Sequence, residues 1–348
     1  MASVPNTDTT AKNIFVILGV ARSGTSVLAR ALKSLGVHLG HKLTAAGKWN
    51  PTGFWEDHDV VYQINQHLLD QLHFRWDSVK LLETNFTPKE LLAHQTTATN
   101  IIRERMKDIT DWGFKDPRTV RILPFWQAIF QNLNLNEHYV IALRNPLCSA
   151  QSFSDLGTND IEKGLLLWLM HLIPAIEQTH NKKRLVVSYE KIMQNPQHEL
   201  SRIQRYFNLP PCAATELQQF EHAFLNKRLD HYHYTQADLI AHPATAISPL
   251  ILKCYNCLLR LSRDELHFED AEFTATWLEI QQEFQQNYAN YCYIDKLLVE
   301  NTQFRKKLRS IQRTVSWKMI LPLRIIETAL KSLRKWIRSQ QSIKMKKT

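Results

Sequence analysis

No run of 18 or more apolar residues occurs in this 348-residue chain. The best candidate, Leu165 to Ile176, is broken by His171 and Pro174, so a membrane-spanning helix is not expected. The opening segment MASVPNTDTTAKN has no basic stretch followed by an apolar run, and no secretory signal is expected from it. Cysteines number only five, an odd count that argues for a reducing compartment without a disulfide framework. No internal repeat is evident. An apolar fraction of 44% with 22% charged residues excludes a disordered or collagen-like chain and allows a sizeable core.

The net charge of +10 is unevenly placed. Residues 301–348 hold 14 of the 43 basic side chains and a single acid, Glu327, which leaves the rest of the chain slightly acidic. The basic character therefore belongs to a tail and does not mark the main body as nucleic-acid-binding; no nucleic-acid partner is expected.

Short apolar runs alternate with helical periodicities. Asn13 to Gly19, Trp112 to Lys115, His138 to Leu143 and Leu185 to Ser188 read as buried strands. Helices are expected from Leu28 to Leu35, with Gly36 as a stop, and over Val60–Leu72, Pro88–Ile109, Ile161–Glu177 and Glu190–Phe207. Two further helices should begin at Pro117 and Pro146, each proline in a first turn. Strand–helix alternation indicates a doubly wound parallel α/β sheet, and strand signals fade beyond Asn208. Trp277, Ile280, Phe284, Tyr288, Tyr291, Ile294 and Leu298 step by three or four along one helix face. That face fits either a partner helix, as in a homodimer, or packing on the main body; Asn287 and Asn301 interrupt a strict heptad.

Gly19-Val20-Ala21-Arg22-Ser23-Gly24-Thr25-Ser26 sits between a strand and a helix and fits the frame of a phosphate loop, with Thr25 in place of the lysine. Backbone N–H groups of such a loop cradle a phosphate, but the missing lysine disfavours ATP or GTP hydrolysis. Arg22 supplies a different cation. Arg144 ends a strand and so faces the crevice where open α/β sheets bind ligands; Ser149, Ser152 and Ser154 follow on the next helix. A planar guanidinium with a serine two turns on suits a second phosphate. Two anion sites at neighbouring strand ends point to a nucleotide phosphorylated at both its 5′ and 3′ positions.

GVARSGTS resembles the 5′-phosphosulfate loop of sulfotransferases, particularly the RSGT form of Golgi tyrosine-protein and carbohydrate enzymes, and LRNPLCSAQSF resembles their 3′-phosphate motif. NPTGFWED, WGFKDPRT and VVSYEKIMQNPQHEL are similar to segments of bacterial members, in the same order over residues 13–210. The resemblance implies a three-layer P-loop-type parallel sheet flanked by helices, with an α-helical C-terminal extension. It implies 3′-phosphoadenosine-5′-phosphosulfate (PAPS) as co-substrate, and sulfuryl transfer from PAPS requires no metal. Residue by residue, Arg22, Ser23, Gly24, Thr25 and Ser26 would grip the 5′-phosphosulfate, and Arg144 and Ser152 the 3′-phosphate. No adenine-contacting loop is legible after Asn208, where Lys227 and Arg228 read as extra 3′-phosphate contacts or as solvated surface charge.

Sulfuryl transfer needs cations where the leaving phosphate gathers charge and a base near the acceptor hydroxyl. Arg22 is the first cation; Lys115 and Arg118 are second candidates, with a structural pairing to Asp116 as the alternative. In related enzymes a catalytic Glu lies on the loop after the phosphate loop. GFWEDHD offers Glu56, with Asp57 and His58 beside it as alternatives or as caps of the helix near Val60. Trp55, Asp57 and Arg118 are the acceptor-side candidates, and Trp49, Phe54 and Trp55 either stack on a sugar or pack the loop. Cys254 and Cys257 have half a zinc site's spacing without a second pair, and His231 and His233 lack a companion; no metal is assigned.

The chain is expected to divide into a PAPS-binding core (12–230), a helical extension packed on it (231–300) and a basic amphipathic tail (301–348). From Pro322, Leu323, Ile326, Leu330, Leu333 and Ile337 line one helical face opposite Arg324, Lys331, Arg334, Lys335 and Arg338, the pattern of a helix lying in an anionic membrane surface. The alternative is a tail docked on protein. The expectation is a cytoplasmic sulfotransferase acting on a hydroxyl or amine of a carbohydrate or glycolipid, peripheral on the inner face of the plasma membrane. The rivals are a P-loop nucleotide or small-molecule kinase and a non-catalytic nucleotide-binding partner protein.

Overall fold

The computed structural model describes residues 12–47, 50, 53–82, 88–155, 157, 160–225, 232–317 and 330–331. Strand β1 (Asn13–Leu18) leads through a tight loop into α1 (Thr25–Ser34). A π-helical segment, Val60–Asn65, runs into α2 (Gln66–Gln71), and α3 spans Pro88–Arg105. Next come β2 (Asp111–Lys115), a 3-10 turn at Pro117–Ile122, α4 (Leu123–Asn132) and β3 (Asn136–Leu143). Helices α5 (Pro146–Ser154) and α6 (Ile161–Gln178) precede β4 (Lys183–Ser188). The remainder is helical among the described residues: α7 (Tyr189–Gln194), α8 (Pro196–Phe207), α9 (Ala214–Gln218), α10 (Gln236–Ala241), α11 (Leu250–Ser262) and α12 (Ala271–Arg313).

All four strands are parallel, in the order β2-β1-β3-β4. Asn13 lies between Asp111 and Asn136, and His138 pairs with Lys183. Each strand is buried on both faces, which is why each reads as a continuous apolar run. Phe15, Ile17, Val140, Ala142, Leu185 and Val187 form one core with Leu28 and Leu32 of α1 and Ile203 and Phe207 of α8. On the other side, Phe114 packs its ring 5.0 Å from Trp126 of α4. Gln127 of α4 donates to the Gln178 carbonyl at the end of α6. This is helix, sheet, helix in three layers.

The order places β2 and β3 on opposite sides of β1, so the carboxyl ends of β1 and β3 flank a topological switch point, where α/β sheets bind ligands. The expected helix over Glu190–Phe207 is two. Asn195 ends α7, and its side chain accepts from the His198 amide to cap α8, with Pro196 in the first turn. Pro117 opens a 3-10 turn rather than an α-helix, capped by the Asp116 carboxylate.

The chain divides into two units, Met1–Tyr291 and Cys292–Thr348, and the division falls inside α12. Cys254 and Cys257 are buried in α11, where desolvation raises both thiols. Among the described residues no helix is long and apolar enough to cross a membrane, and no group of three His, Cys, Asp or Glu side chains could hold a metal ion.

Candidate active site

The loop after β1 turns through positive φ at Gly19 (149°), Arg22 (68°) and Gly24 (87°). Glycine at 24 is required twice over: a Cβ there would meet the Tyr189 ring at 2.3 Å, and the backbone is left-handed. Ser23 is buried, and both its hydroxyl (2.6 Å) and its amide (3.2 Å) bond the Val20 carbonyl, so its polar groups shape the turn itself. Helix α1 starts at Thr25 without a side-chain cap and with no acid in its first turn. Its first N–H groups and the dipole behind them suit an anion.

The structure brings the two expected anion motifs together. Arg22 Nε donates to Ser152 Oγ at 2.9 Å, and Arg144 donates to the Arg22 carbonyl at 3.1 Å. The Arg144 guanidinium lies 4.3 Å over the Tyr189 ring, the same ring that abuts Gly24. Burial, and then the neighbouring charge of Arg144, push the Arg22 guanidinium below its ordinary pKa. Arg144 is buried and Arg22 half-buried; like charges held side by side repel, and an anion joining them would relieve that repulsion. Asn145 anchors the rim: its side chain caps α5 through the Leu147 amide and donates to the carbonyls of Tyr234 and Thr235.

A second cluster forms on the loop between α1 and the π-helical segment. The loop closes on itself through bonds from the Thr44 amide to the Glu56 carbonyl and from the His58 amide to the Lys42 carbonyl. Glu56 and Lys115, at the end of β2, form a buried ion pair at 2.7 Å. Arg118 reaches within 4.0 Å of Glu56 and bonds the Asp116 carboxylate and Gln66. Burial raises the Glu56 pKa; Lys115 opposes this, Asp116 adds to it, and Arg118 opposes it. The loop is tied to the phosphate loop by Ser26, whose hydroxyl donates to the Phe54 carbonyl at 3.2 Å and accepts from Asn50.

Two acceptor-side candidates are engaged elsewhere. Asp57 is 1% exposed; it accepts a 2.7 Å ion pair from Arg105 and the amides of Asp59 and Val60. It thus caps the π-helical start, the role that sequence offered as its alternative. Trp55 sets its ring edge-on to Phe224 at 5.6 Å, beneath Arg30 and Lys33, and packs on the core of α1. Arg118 keeps 18% of its side chain exposed. Trp49, Lys227, Arg228, His231 and tail residues 318–329 and 332–348 lie outside the described residues.

Sequence reasoning missed Tyr189 and Asn145. Asn145 had a signal, the Asn-Pro pair that opens α5. Tyr189 had only its place one residue past a strand end.

The model of a family described as "Sulfotransferase family" matches residues 14–213, more than half of the chain. No curated protein matches. Among solved structures, the chain resembles the sulfotransferase domain from the Synechococcus PCC 7002 olefin synthase, with 14% identity over 82% of this chain and 98% of that one, at a TM-score of 0.40. The sulfotransferase domain from the curacin biosynthetic pathway is 14% identical over 78% and 98%, with a TM-score of 0.39. Retinol dehydratase in complex with androsterone and the inactive cofactor PAP is 11% identical over 78% and 80%, with a TM-score of 0.30.

Proposed function

The chain belongs to the sulfotransferase family, and on that premise we propose that it uses PAPS to sulfate a hydroxyl or amine of a carbohydrate or glycolipid. The observation that carries the donor reading is the bond from Arg22 to Ser152, which unites an anion-binding loop at one strand end with an arginine and serine at the next.

The donor set fits the molecule. Arg22, the Gly24 backbone, Thr25 and Ser26 would hold the 5′-phosphosulfate, with Ser23 shaping the turn through its bonds to the Val20 carbonyl; Arg144 and Ser152 would hold the 3′-phosphate. When bound, PAPS would supply the sulfuryl group: its S–O bond to the 5′-phosphate breaks as one to the acceptor's oxygen or nitrogen forms. Glu56 is the base that accepts the acceptor's proton, and its pKa, raised by burial, makes it a stronger base than an ordinary carboxylate. Lys115 holds that carboxylate in place, and with Arg22 it supplies positive charge for the leaving phosphate. Arg118, still partly exposed, is the acceptor-side contact. Asp57 and Trp55 serve the loop that presents Glu56.

The glycan or glycolipid acceptor is supported by the basic amphipathic tail, whose pattern would hold the enzyme at the cytoplasmic face of a membrane carrying lipid-linked substrates. The first experiment is a calorimetric titration with adenosine 3′,5′-bisphosphate beside ATP. The bisphosphate should bind and ATP should not compete at equal concentration. Tighter binding of ATP with Mg²⁺ would favour a kinase, and no binding of either would remove the donor site.

A further inference from the structure

The apolar stripe that begins at Trp277 is consumed early: Trp277, Ile280, Phe284 and Tyr291 are buried, and the Tyr288 hydroxyl accepts from the Leu81 amide. A different stripe begins within the unit Cys292–Thr348. Leu297, Phe304, Leu308 and Ile311 are 45%, 69%, 50% and 43% exposed, and Val315, just past the end of α12, is 73% exposed. With Ile294 before them, they fall on a heptad. Ile294, Asn301, Leu308 and Val315 take position a; Leu297, Phe304 and Ile311 take position d. Between Glu300 and Ser316 every apolar side chain lies on this seam, and every other position is polar.

Three features select the occupant. The first is width. A helix lying in lipid needs a broad apolar face, whereas a strict a/d stripe is the narrow seam that knobs-into-holes packing covers. The second is Asn301. Against lipid or a foreign apolar groove its carboxamide would lose hydrogen bonds, but opposite its own copy at an a layer the two amides pair, which also sets two strands and the register. The third is charge. Glu300 occupies g and Arg305 the following e, so in a parallel pair Glu300 of each copy faces Arg305 of the other; Lys307 at g meets Gln312 at e, without a like-charge clash. An antiparallel pair would set Asn301 against a d residue and leave its amide unpaired.

We propose that two copies of this chain associate through a parallel, in-register, two-stranded coiled coil along Ile294–Ile311, with Val315 as the next a position. The Asn301 that breaks the heptad in a one-dimensional reading is then its register pin. From Gln303 to the end of α12 the helix is otherwise exposed, and helices in proteins gain most of their stability from packing an amphipathic face.

Sedimentation equilibrium of the full chain at tens of micromolar tests this. The mass should be twice the 40.7 kDa of one chain, and Phe304→Glu with Leu308→Glu should return it to one chain while the near-ultraviolet circular dichroism of the core is kept. Asn301→Cys should cross-link on oxidation, and Thr302→Cys, at the outward b position, should not. A monomeric wild-type chain, or a dimer that survives both glutamates, overturns the proposal. Equal cross-linking at 301 and 302 overturns the register. If the wild-type chain is monomeric and the glutamates abolish its binding to anionic vesicles, the stripe faces lipid and the coiled coil is excluded.

Discussion

Arg22 and Ser152 are 130 positions apart, yet the Arg22 Nε stands 2.9 Å from the Ser152 hydroxyl. The bond is possible because β1 and β3 are parallel neighbours, so the loop leaving one and the helix leaving the other start from the same edge of the sheet. The Arg144 guanidinium completes the junction by donating to the Arg22 carbonyl, and Tyr189 from the end of β4 lies beneath it. Four segments of chain meet at this junction, and the proposed donor would span it.

Arg144→Ala should weaken adenosine 3′,5′-bisphosphate far more than adenosine 5′-monophosphate. A lost charge-assisted hydrogen bond costs about 1.5–3 kcal/mol, or roughly ten- to a hundredfold in affinity. Calorimetry with both ligands measures the difference, and equal weakening would take Arg144 away from the 3′-phosphate.

Glu56→Gln should lower turnover by about 10²–10⁴ with donor affinity nearly unchanged. The base must be ionised, so wild-type turnover should fall as pH drops through the Glu56 pKa. Because burial raises that value, the acid limb should lie above the ordinary carboxylate range. The glutamine variant should lose this limb. Turnover within threefold of wild type would move the role to another residue.

Lys115→Ala tests the pair from its other side. Removing one partner of a buried ion pair typically costs about 3–5 kcal/mol, because the remaining charge has no compensation. The Glu56 pKa should then climb further and carry the acid limb of turnover upward with it. Adding Glu56→Gln to Lys115→Ala should recover part of the lost stability in urea unfolding; simple additivity of the two losses would show that the pair is not coupled.

The tail can be tested by flotation. Full-length protein should rise with anionic vesicles at low salt and less at high salt, each cation near the surface contributing roughly 1 kcal/mol. A chain ending at Val315 should stay below. Equal flotation of the truncated chain would place any membrane contact elsewhere.

The phosphate loop, the arginine after β3 and the four strands were legible because each is local. A buried parallel strand shows as an apolar run, and a strand–loop–helix turn shows in its glycines and hydroxyls over eight residues. The break between α7 and α8 was also written in Asn195-Pro196, a cap and a first-turn proline, although the periodicity on either side hides it. Asp57 was different. Its residue type and place beside Glu56 made it an acceptor candidate, and only Arg105, 48 positions later, shows that its carboxylate is occupied inside the protein.

What sequence alone determined here is local: which runs become buried parallel strands, and where a strand turns through glycines into a helix. What tertiary structure decided is which groups share a site. Tyr189 is one residue past a strand end, and nothing near it in the chain announces a role; it meets Arg144 and Gly24 because the parallel sheet lays the end of β4 beside that of β3, with β1 next in line. Glu56 and Lys115 likewise acquire their pairing only when a loop and a strand end 59 positions apart are buried together, since a charge in a low-dielectric interior must find its partner wherever the fold supplies one.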